Sequence, residues 1–308
     1  MLFSLAGQVK DFVKCRRWVL SDIWNHPLNR GSKLRALRDY VLWNAMRFSI
    51  DAGHIVPLPE GAEIIIRKEN YGTGIYVHSL PDFAEMFLLA HLLRPGDLFV
   101  DVGANIGMYS IWVSHATGAS TLALDPVPGT FETLRKNIRL NDLEALIEPL
   151  RTAVGDVAGD VLMTSNKGGL NHIVQKQVEG AIQVPVARID DLLIGRCPFA
   201  MKIDVEGFEL QALRGAAATL RDSRLKAIII ELADRILTRY GTSAQEVRSL
   251  LESRGFHLYN YDPFDRTLAP IIAHRGLNAI FIRENDDEIS RRLSSGRKIL
   301  VSGYPSGI

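Results

Sequence analysis

The stretch Asp101-Val-Gly-Ala-Asn-Ile-Gly107 lies between an apolar strand pattern at 98–100 and a helical pattern over 107–117. Glycines in such a strand-to-helix turn let the backbone approach a ligand closely. From this turn onward, strand and helix patterns alternate along the chain, which predicts a mostly parallel sheet with helices on both faces. The sequence therefore predicts an α/β protein whose ligand binds at the carboxyl ends of the strands.

The periodicity of apolar residues predicts the individual elements. Upstream of the glycine turn, residues 63–68 and 74–78 are two β-rich runs, which predict a small β-hairpin. Pro57 and Pro59 mark a boundary. We therefore predict a basic helical N-terminal extension (1–60), a main domain (61–285) and a C-terminal tail (286–308). The main domain is predicted to contain helix 81–93, strand 98–103, helix 107–117, strand 120–126, helix 128–141, strand 146–154, a hairpin, strand 200–205, helix 208–220, strand 226–232, helix 243–254, and strands 256–261 and 278–283.

Charge and composition exclude several classes of protein. The 308 residues include 36 Lys+Arg and 35 Asp+Glu, a balance that predicts no nucleic-acid partner. Residues 1–50, however, carry nine basic and three acidic side chains, and three of the four tryptophans lie before residue 60. This segment predicts peripheral contact with a membrane or a partner; the alternative is that its rings pack on the core or cover the cleft. With two cysteines in unrelated contexts, no signal peptide and no long apolar run, we expect a cytoplasmic protein.

The residues around the glycines indicate which ligand the turn binds. A dinucleotide-binding turn places glycines as G-x-G-x-x-G, but here Asn105 occupies the middle position, so a pyrophosphate site is disfavoured. Asp101 would repel a phosphate, yet it suits a cation such as the amino group of a methionine moiety. Glycines alone are also compatible with a purely structural turn. Together with Asp101 they favour a methyl donor of the S-adenosylmethionine type, held by Asp101, Gly103, Ala104, Asn105 and Gly107.

Acidic residues after the next strands extend this donor site. Asp125, followed by Pro126, ends a strand about twenty residues beyond the turn and can accept hydrogen bonds from a ribose diol. Asp156, in Gly155-Asp156, is predicted to contact the exocyclic amine of adenine, although such a pair also occurs in ordinary turns. Glu85, beside the apolar face of helix 81–93, is a further predicted cofactor contact.

Candidate catalytic residues follow the strand 200–205. Asp204 and Glu206 face the same side, because side chains repeat every two residues along a strand. A carboxylate there can take the proton of a hydroxyl acceptor during methyl transfer; the alternative role is to stabilise the N-terminus of the following helix. His172, in a glycine-rich loop, is a second candidate base, and Glu231 is a further carboxylate at the cleft edge. Asp204 and Glu206 could also bind Mg²⁺, but two carboxylates do not define a site, so no metal is predicted.

Three motifs in order resemble the FkbM family of methyltransferases: Asp101 to Ser110, Ala153-Val-Gly-Asp156, and Lys202-Ile-Asp-Val-Glu-Gly-Phe-Glu209 followed by Leu213-Arg-Gly215. The resemblance covers about residues 80 to 285. It implies a class I, Rossmann-like methyltransferase fold with a seven-stranded sheet whose last strand is antiparallel. It also implies transfer to hydroxyls of sugars, glycolipids or polyketides.

By position, the resemblance implies that the turn 101–107 holds the methionine end of the donor, Asp125 the ribose and Asp156 the adenine, with Asp204 at the methyl-transfer edge. Asp125 departs from the glutamate usual in the family. The acceptor is expected to be a sugar, a glycolipid or polysaccharide, or a small hydroxylated metabolite. Two alternatives remain open on the sequence alone, a catalytically silent nucleoside-binding scaffold and an NAD-dependent oxidoreductase.

Overall fold

The computed structural model describes residues 19–46, 53–67, 72–274, 276–284, 287–301, 304 and 306–308. Its strands form three sheets, the largest of which has eight strands. In chain order the strands are β1 His54–Pro57, β2 Glu63–Ile66, β3 Leu98–Val102, β4 Ser120–Leu124, β5 Ile147–Leu150, β6 Ala153–Val154, β7 Gly159–Thr164, β8 Ile173–Val174, β9 Ala181–Ala187, β10 Ala200–Ile203, β11 Ala227–Glu231, β12 Phe256–Asp262, β13 Thr267–Pro270 and β14 Asn278–Arg283.

The helices cover both faces of the large sheet, as its short apolar strands require. They are α1 Lys33–Met46, α2 Gly72–His78, α3 Phe83–Leu92, α4 Met108–Thr117, α5 Pro128–Leu140, α6 Ile189–Leu192, α7 Glu209–Gly215, α8 Asp234–Leu237, α9 Ala244–Glu252 and α10 Asp287–Ser294. Residues 19–25 are also helical. Phe99 and Val100 of β3 show how the core divides: Phe99 packs in the cluster that contains Trp112, and Val100 packs in the cluster that contains Met201.

The order of the large sheet is β13-β12-β14-β11-β10-β3-β4-β5. Strands β5, β4, β3, β10 and β11 are parallel, whereas β14 is antiparallel to β11 and to β12. The predicted α/β architecture with an antiparallel last strand is therefore confirmed. The prediction of seven strands is wrong, because β13 adds an eighth. β13 is a four-residue edge strand, mostly exposed, and so carries no apolar pattern that sequence reasoning could detect.

The predicted hairpin between 63–68 and 74–78 is wrong. β2 does form, but it pairs with β1, and the second run is the helix α2. α2 contains two glycines and β-branched residues, which favour a helix weakly, so packing decides its structure. A Cβ on Gly72 would overlap the ring of Trp43, which shows how closely α2 packs against α1.

The predicted strand 146–154 is two strands in different sheets. β5 ends at Leu150 and belongs to the large sheet, while β6 joins a second sheet of order β6-β9-β7-β8. The antiparallel pair β7 and β9 in this second sheet is the hairpin predicted between strands 146–154 and 200–205. Residues that follow β5, including those of β6 in the second sheet, line the same cavity as the ends of β3 and β4.

The N-terminal elements form a layer over the glycine turn, which we call the N-terminal layer (described residues 19–67 together with α2). Trp43 and Ile64 pack in one cluster with Ala104 and Ile106 of the turn. The Asn137 side chain links the two parts, since it accepts from Ile65 N at 2.7 Å and donates to Ile106 O at 2.8 Å.

The three tryptophans predicted as a possible interface differ in position. Trp43 is 2% exposed and packs on the core, as the alternative interpretation stated. Trp24 is 49% exposed, and the Lys33 ammonium lies 4.3 Å from the centre of its ring. Trp18 lies outside the described residues. Membrane or partner contact by this segment stays a prediction, and within the described residues no helix combines the length and apolar character needed to cross a bilayer.

Candidate active site

A cavity of about 670 Å³ lies at the carboxyl ends of β3, β4, β10 and β11. This is the edge at which open parallel sheets bind ligands. One wall consists of the residues that follow these strands, and a second wall includes Asp22, Ile23 and residues of α2. Of the site residues predicted from sequence, those lining the cavity are Glu85, Asp101, Gly103, Ala104, Asn105, Asp125, Pro126, Asp204, Glu206 and Glu231.

The glycine turn is held close to the ends of both neighbouring strands. Gly103 has φ +82°, and a Cβ at this position would overlap the main-chain oxygen of Asp204 after β10. On the other side, the amides of Gly103 and Ala104 both donate to Leu124 O at 2.9 Å. Gly107, with φ +92°, is absent from the cavity lining and packs instead against Leu134 of α5. Thus Gly103 permits the close approach, and Gly107 permits helix packing.

Asp101 is a deeply buried carboxylate of the site, with 1% of its surface exposed. Its Oδ2 accepts a hydrogen bond from Ser110 Oγ at 2.6 Å, whereas its Oδ1 is buried without a hydrogen-bond partner among the described residues. Burial raises the pKa of Asp101, and the Lys202 ammonium opposes this shift. An unpartnered acceptor at the cavity wall is suited to a ligand ammonium group.

Asp125 binds the protein's own loop as well as facing the cavity. It accepts hydrogen bonds from Asn105 N at 3.1 Å, from Val127 N at 3.0 Å and from Thr130 Oγ1. Burial raises its pKa to about 7. A carboxylate has about four acceptor positions, so the three internal bonds leave capacity for a ribose hydroxyl.

Besides Gly107, two predicted site residues lie outside the cavity lining. Asp156 is exposed, and the wall beside it consists of Thr152, Ala153 and Val154. His172 is half-buried, its Nδ1 lies 2.9 Å from Leu170 O, and burial lowers its pKa. The loop itself nevertheless reaches the cavity through Gly168, Gly169 and Asn171.

Asp204, Glu206 and Glu231 form the acidic part of the cavity. Asp204 Oδ2 is 2.8 Å from Lys202 Nζ. Burial, followed by the charge of Asp204, raises the pKa of Glu206 to about 7 and that of Glu231 to about 9. Glu209, the first residue of α7, accepts from the amides of Val205 and Gly207 at 3.1 Å through its Oε1, and so holds the loop that carries Glu206.

Sequence reasoning missed Asp82, which lines the cavity beside Glu85. Asp82 precedes α3 and accepts from Tyr109 Oη at 2.9 Å. Burial and the Asp82 charge raise the pKa of Glu85 to about 7. Asp82 is the second residue of the predicted helix 81–93, and an Asp in the first turn is a familiar helix-start signal, so the position was visible in the sequence although its proximity to Tyr109 was not.

The N-terminal layer contributes a second group that sequence reasoning missed. His78 Nε2 is 3.0 Å from Asp22 Oδ2, and both residues line the cavity. Asn29 Nδ2 lies 2.9 Å from His78 Nδ1, and the ring of His26 stacks on His78 at 4.2 Å between centres. Because Asp22 and His78 are separated by 56 positions, no local pattern could bring them together.

Comparison with known proteins identifies the family. The model of the methyltransferase FkbM domain matches residues 101–258, which begin at the glycine turn and include Asp125, Asp204 and Glu231. This chain belongs to the FkbM family of S-adenosylmethionine-dependent methyltransferases. The family resemblance predicted from the three motifs is confirmed. A nicotinamide-dependent oxidoreductase, the less favoured alternative, finds no support in this match.

Curated relatives of this FkbM-family chain carry methyltransferase names. Methyltransferase 1 of Beauveria bassiana is 28% identical over 213 residues, which are 59% of this chain and 82% of the relative. Hexuronic acid methyltransferase AglP of Haloferax volcanii is 29% identical over 148 residues, 47% of this chain and 59% of that protein. The 31-O-demethyl-FK506 methyltransferase FkbM of Streptomyces tacrolimicus is 32% identical over 117 residues, 37% of this chain and 43% of its own length. For the last two, the match therefore spans less than two thirds of the relative.

The cavity of this FkbM-family protein fits the family's methyl donor. S-adenosylmethionine has a cationic amino group, a ribose diol and an adenine. The unpartnered Asp101 Oδ1 offers an acceptor to the amino group, Asp125 keeps capacity for the diol, and the volume is within the range of small-molecule sites. The predicted cofactor, S-adenosylmethionine, is confirmed by the family.

Proposed function

We propose that this chain transfers a methyl group from S-adenosylmethionine to a hydroxyl oxygen of a sugar, a glycolipid or polysaccharide, or a small hydroxylated metabolite. One observation supports the proposal: Gly103 approaches the main chain of Asp204 closely, so that the segment carrying Asp204 and Glu206 lies beside the turn that we propose binds the donor. A hydroxyl acceptor needs a proton acceptor at this position, whereas a thiolate or a neutral amine nucleophile does not. The names of the Haloferax and Streptomyces relatives, with a hexuronic acid and a 31-O-demethyl substrate, agree with this class of acceptor.

The donor end is proposed to be held by the residues of the sheet edge. Asp101 accepts hydrogen bonds from the donor amino group, the turn 103–105 packs against the methionine chain, and Asp125 accepts from the ribose. Asp156 as an adenine contact stays a prediction. When bound, S-adenosylmethionine supplies an electrophilic methyl group on a sulfonium.

The acceptor hydroxyl is proposed to give its proton to the acidic group. Glu206, with its pKa raised to about 7, exists in both protonation states near neutral pH, which suits a general base. Lys202 holds Asp204 in place at 2.8 Å. Most of the rate enhancement would come from alignment of oxygen, methyl and sulfur, because methyl transfer is an in-line displacement. His172, predicted as an alternative base, would need its loop to move to reach the cavity.

Acceptor choice is proposed to depend on the N-terminal layer. We propose residues 61–285 as the methyltransferase domain, with 1–60 and 286–308 as additions to it. Asp22 and Ile23, from the first addition, line the same cavity as the glycine turn. The second addition packs into the core, where Ile289, Leu293 and Ile308 are buried.

The experiment is an assay with S-adenosylmethionine labelled with ¹³C at the methyl group, offered with uronic acids, neutral sugars and polyketide alcohols. Product NMR distinguishes a methyl on oxygen from one on nitrogen, sulfur or carbon by its chemical shift. We expect an O-methyl product whose formation is lost in Glu206→Gln, with donor affinity retained. Donor binding without transfer to any acceptor would favour the catalytically silent scaffold instead.

A further inference from the structure

Three carboxylates from two neighbouring strand ends converge at the cavity wall. One oxygen each of Asp204, Glu206 and Glu231 lies within 4.8 Å of the others. The register explains the convergence, because Ile203 of β10 pairs with Ile230 of β11, so the next residues, Asp204 and Glu231, are neighbours. Glu206 has φ +55°, a left-handed conformation, in the turn between β10 and α7. The sheet topology therefore builds a three-carboxylate group that sequence spacing alone did not define.

Glu231 provides a separate indication that this group binds a ligand. Only 7% of its surface is exposed, it lines the cavity, and its Oε2 is buried without a hydrogen-bond partner among the described residues. Leaving a buried acceptor unsatisfied costs about 1–3 kcal/mol, and more for a charged one. Because Glu231 Oε2 lies next to two further carboxylates, we expect a cation to bind beside it.

Among the described residues, no positive side chain contacts Glu231 Oε2. Lys202 Nζ contacts Asp204 Oδ2 at 2.8 Å, on one side of the group. Arg239 Nη1 donates to the main-chain oxygen of Glu206 at 2.9 Å. Burial raises the pKa of Glu231, and the negative charges of Asp204 and Glu206 raise it further. The three carboxylates therefore repel one another.

We propose that Asp204, Glu206 and Glu231 bind one divalent cation that prefers oxygen ligands, such as Mg²⁺ or Mn²⁺. Three carboxylates exceed the one or two that commonly hold Mg²⁺, and an octahedral ion would keep coordination positions for water or for an acceptor hydroxyl. From the sequence, only Asp204 and Glu206 were considered as cation ligands, and two carboxylates were too few for this inference. Glu231, brought in by β11, supplies the third.

The role of the cation rests on the proposed function, but its binding does not. A hydroxyl bound to the cation would lose its proton to water more readily. The O–CH₃ bond then forms as the S–CH₃ bond breaks, which leaves a methyl ether and S-adenosylhomocysteine. With the cation bound, Glu206 would be one of its ligands. The cation, and not Glu206 as a general base, would then activate the acceptor hydroxyl.

The test is titration of the full chain, stripped with a chelator, with Mn²⁺ while free Mn²⁺ is followed by electron paramagnetic resonance. We expect one bound ion per chain, and at least about a tenfold loss of affinity in Glu231→Gln, equivalent to about 1.4 kcal/mol. Glu85→Gln is the matched control: it makes the same chemical change in the same cavity outside the three-carboxylate group, and Mn²⁺ affinity should be retained. Far-ultraviolet circular dichroism checks that each variant is folded.

The outcomes separate this inference from the proposed function. Absence of Mn²⁺ binding to the folded wild type, or equal binding by wild type and Glu231→Gln, overturns the site. Displacement of Mn²⁺ by saturating S-adenosylmethionine also overturns it, since the acidic group would then serve the cationic donor. Methyl transfer at an unchanged rate after chelation overturns the catalytic role and leaves O-methylation standing. Mn²⁺ binding without transfer to any hydroxyl supports the site and contradicts the proposed function.

Discussion

The two walls of the cavity differ in how they are built. The polar residues of the sheet-edge wall lie at the ends of adjacent strands. Parallel topology brings these ends together, and it therefore explains why Asp101, Asp125 and Asp204 line one cavity. The N-terminal wall, which includes Asp22 and His78, depends on contacts between segments far apart in the sequence. The first wall is shared with the family domain, while the residues of the second precede the matched range 101–258. The comparison suggests that the fold specifies the donor and an added layer selects the acceptor.

Burial acts on the two walls in opposite directions. In the sheet-edge wall it raises the pKa of carboxyl groups, to about 7 in Asp125. Behind the N-terminal wall it lowers the pKa of His26 to about 4, and the charge of His78 adds to this shift. Both shifts favour neutral side chains. Binding of a cationic ligand should therefore stabilise the carboxylates of the sheet-edge wall. Protonation of His26 at acidic pH should destabilise the N-terminal wall.

The largest effect is expected from Gly103→Ala. A left-handed alanine costs about 1–2 kcal/mol, and the added Cβ would in addition overlap the Asp204 main chain, so we expect a total loss of about 3 kcal/mol or more. Donor binding should fall beyond detection. Urea unfolding and calorimetric titration with S-adenosylmethionine measure both effects.

Gly195→Ala is the matched control for this prediction. Gly195 also has a positive φ, +76°, but a Cβ there would meet nothing within 4 Å. The free energy of unfolding of this variant should fall only by the cost of a left-handed alanine, about 1–2 kcal/mol, and its donor affinity should be retained. Equal losses in the two variants would show that the close approach of the loops does not matter.

Much of the sheet-edge wall was predictable, because strand periodicity and strand ends are local signals. The positions of Asp101, Asp125 and Asp204 at one edge required only the pattern and the parallel topology. The contact of Asp82 with Tyr109 and the pairing of Asp22 with His78 required tertiary packing, which no local pattern encodes. The same limit explains the wrong hairpin at 63–78, where packing against Trp43 makes α2 helical.

The next largest effect is expected from Asp101→Asn. Hydrogen bonds between charged groups contribute about 1.5–3 kcal/mol, so donor affinity should fall about 10- to 100-fold. Stability should stay unchanged or rise, because burial disfavours the Asp101 carboxylate. Asp190→Asn is the control: Asp190 accepts from the amides of Ala218 and Thr219 outside the cavity, so that variant should lose stability and keep donor affinity. The opposite pattern in either variant would contradict the assignment.

A third prediction tests the N-terminal wall through pH. His26 has a folded pKa of about 4 against 6.5 when unfolded, so below pH 6.5 the unfolded chain binds a proton that the folded chain does not. Stability is then lost as pH falls from 6.5 towards 4, by about 2 kcal/mol at pH 5 from this group. The substitution His26→Asn removes the titrating group, although an amide oxygen could still accept from Leu28 N as His26 Nδ1 does.

The measurement is urea unfolding of wild type and His26→Asn at pH 7 and pH 5. We expect the variant to be less stable at pH 7, because the contact of His26 with Pro81 O is lost, and the difference to shrink by about 2 kcal/mol at pH 5. His91, whose pKa burial also lowers to about 4, is present in both proteins and cancels in the comparison. A pH-independent difference would mean that His26 titrates normally in the folded state.

The smallest effect is expected from Asp156→Asn. The motif places Asp156 at the adenine, but the structure leaves it exposed, with Thr152 to Val154 forming the cavity wall. Substitutions at such surface positions change free energies by less than about 0.5 kcal/mol, so donor affinity should change by about twofold or less. Asp125→Asn, at the cavity, should cost about tenfold by the same titration. If Asp156→Asn also lowers donor affinity about tenfold, the loop after β6 must move into the site when the donor binds. Donor binding would then depend on a loop movement as well as on the strand ends.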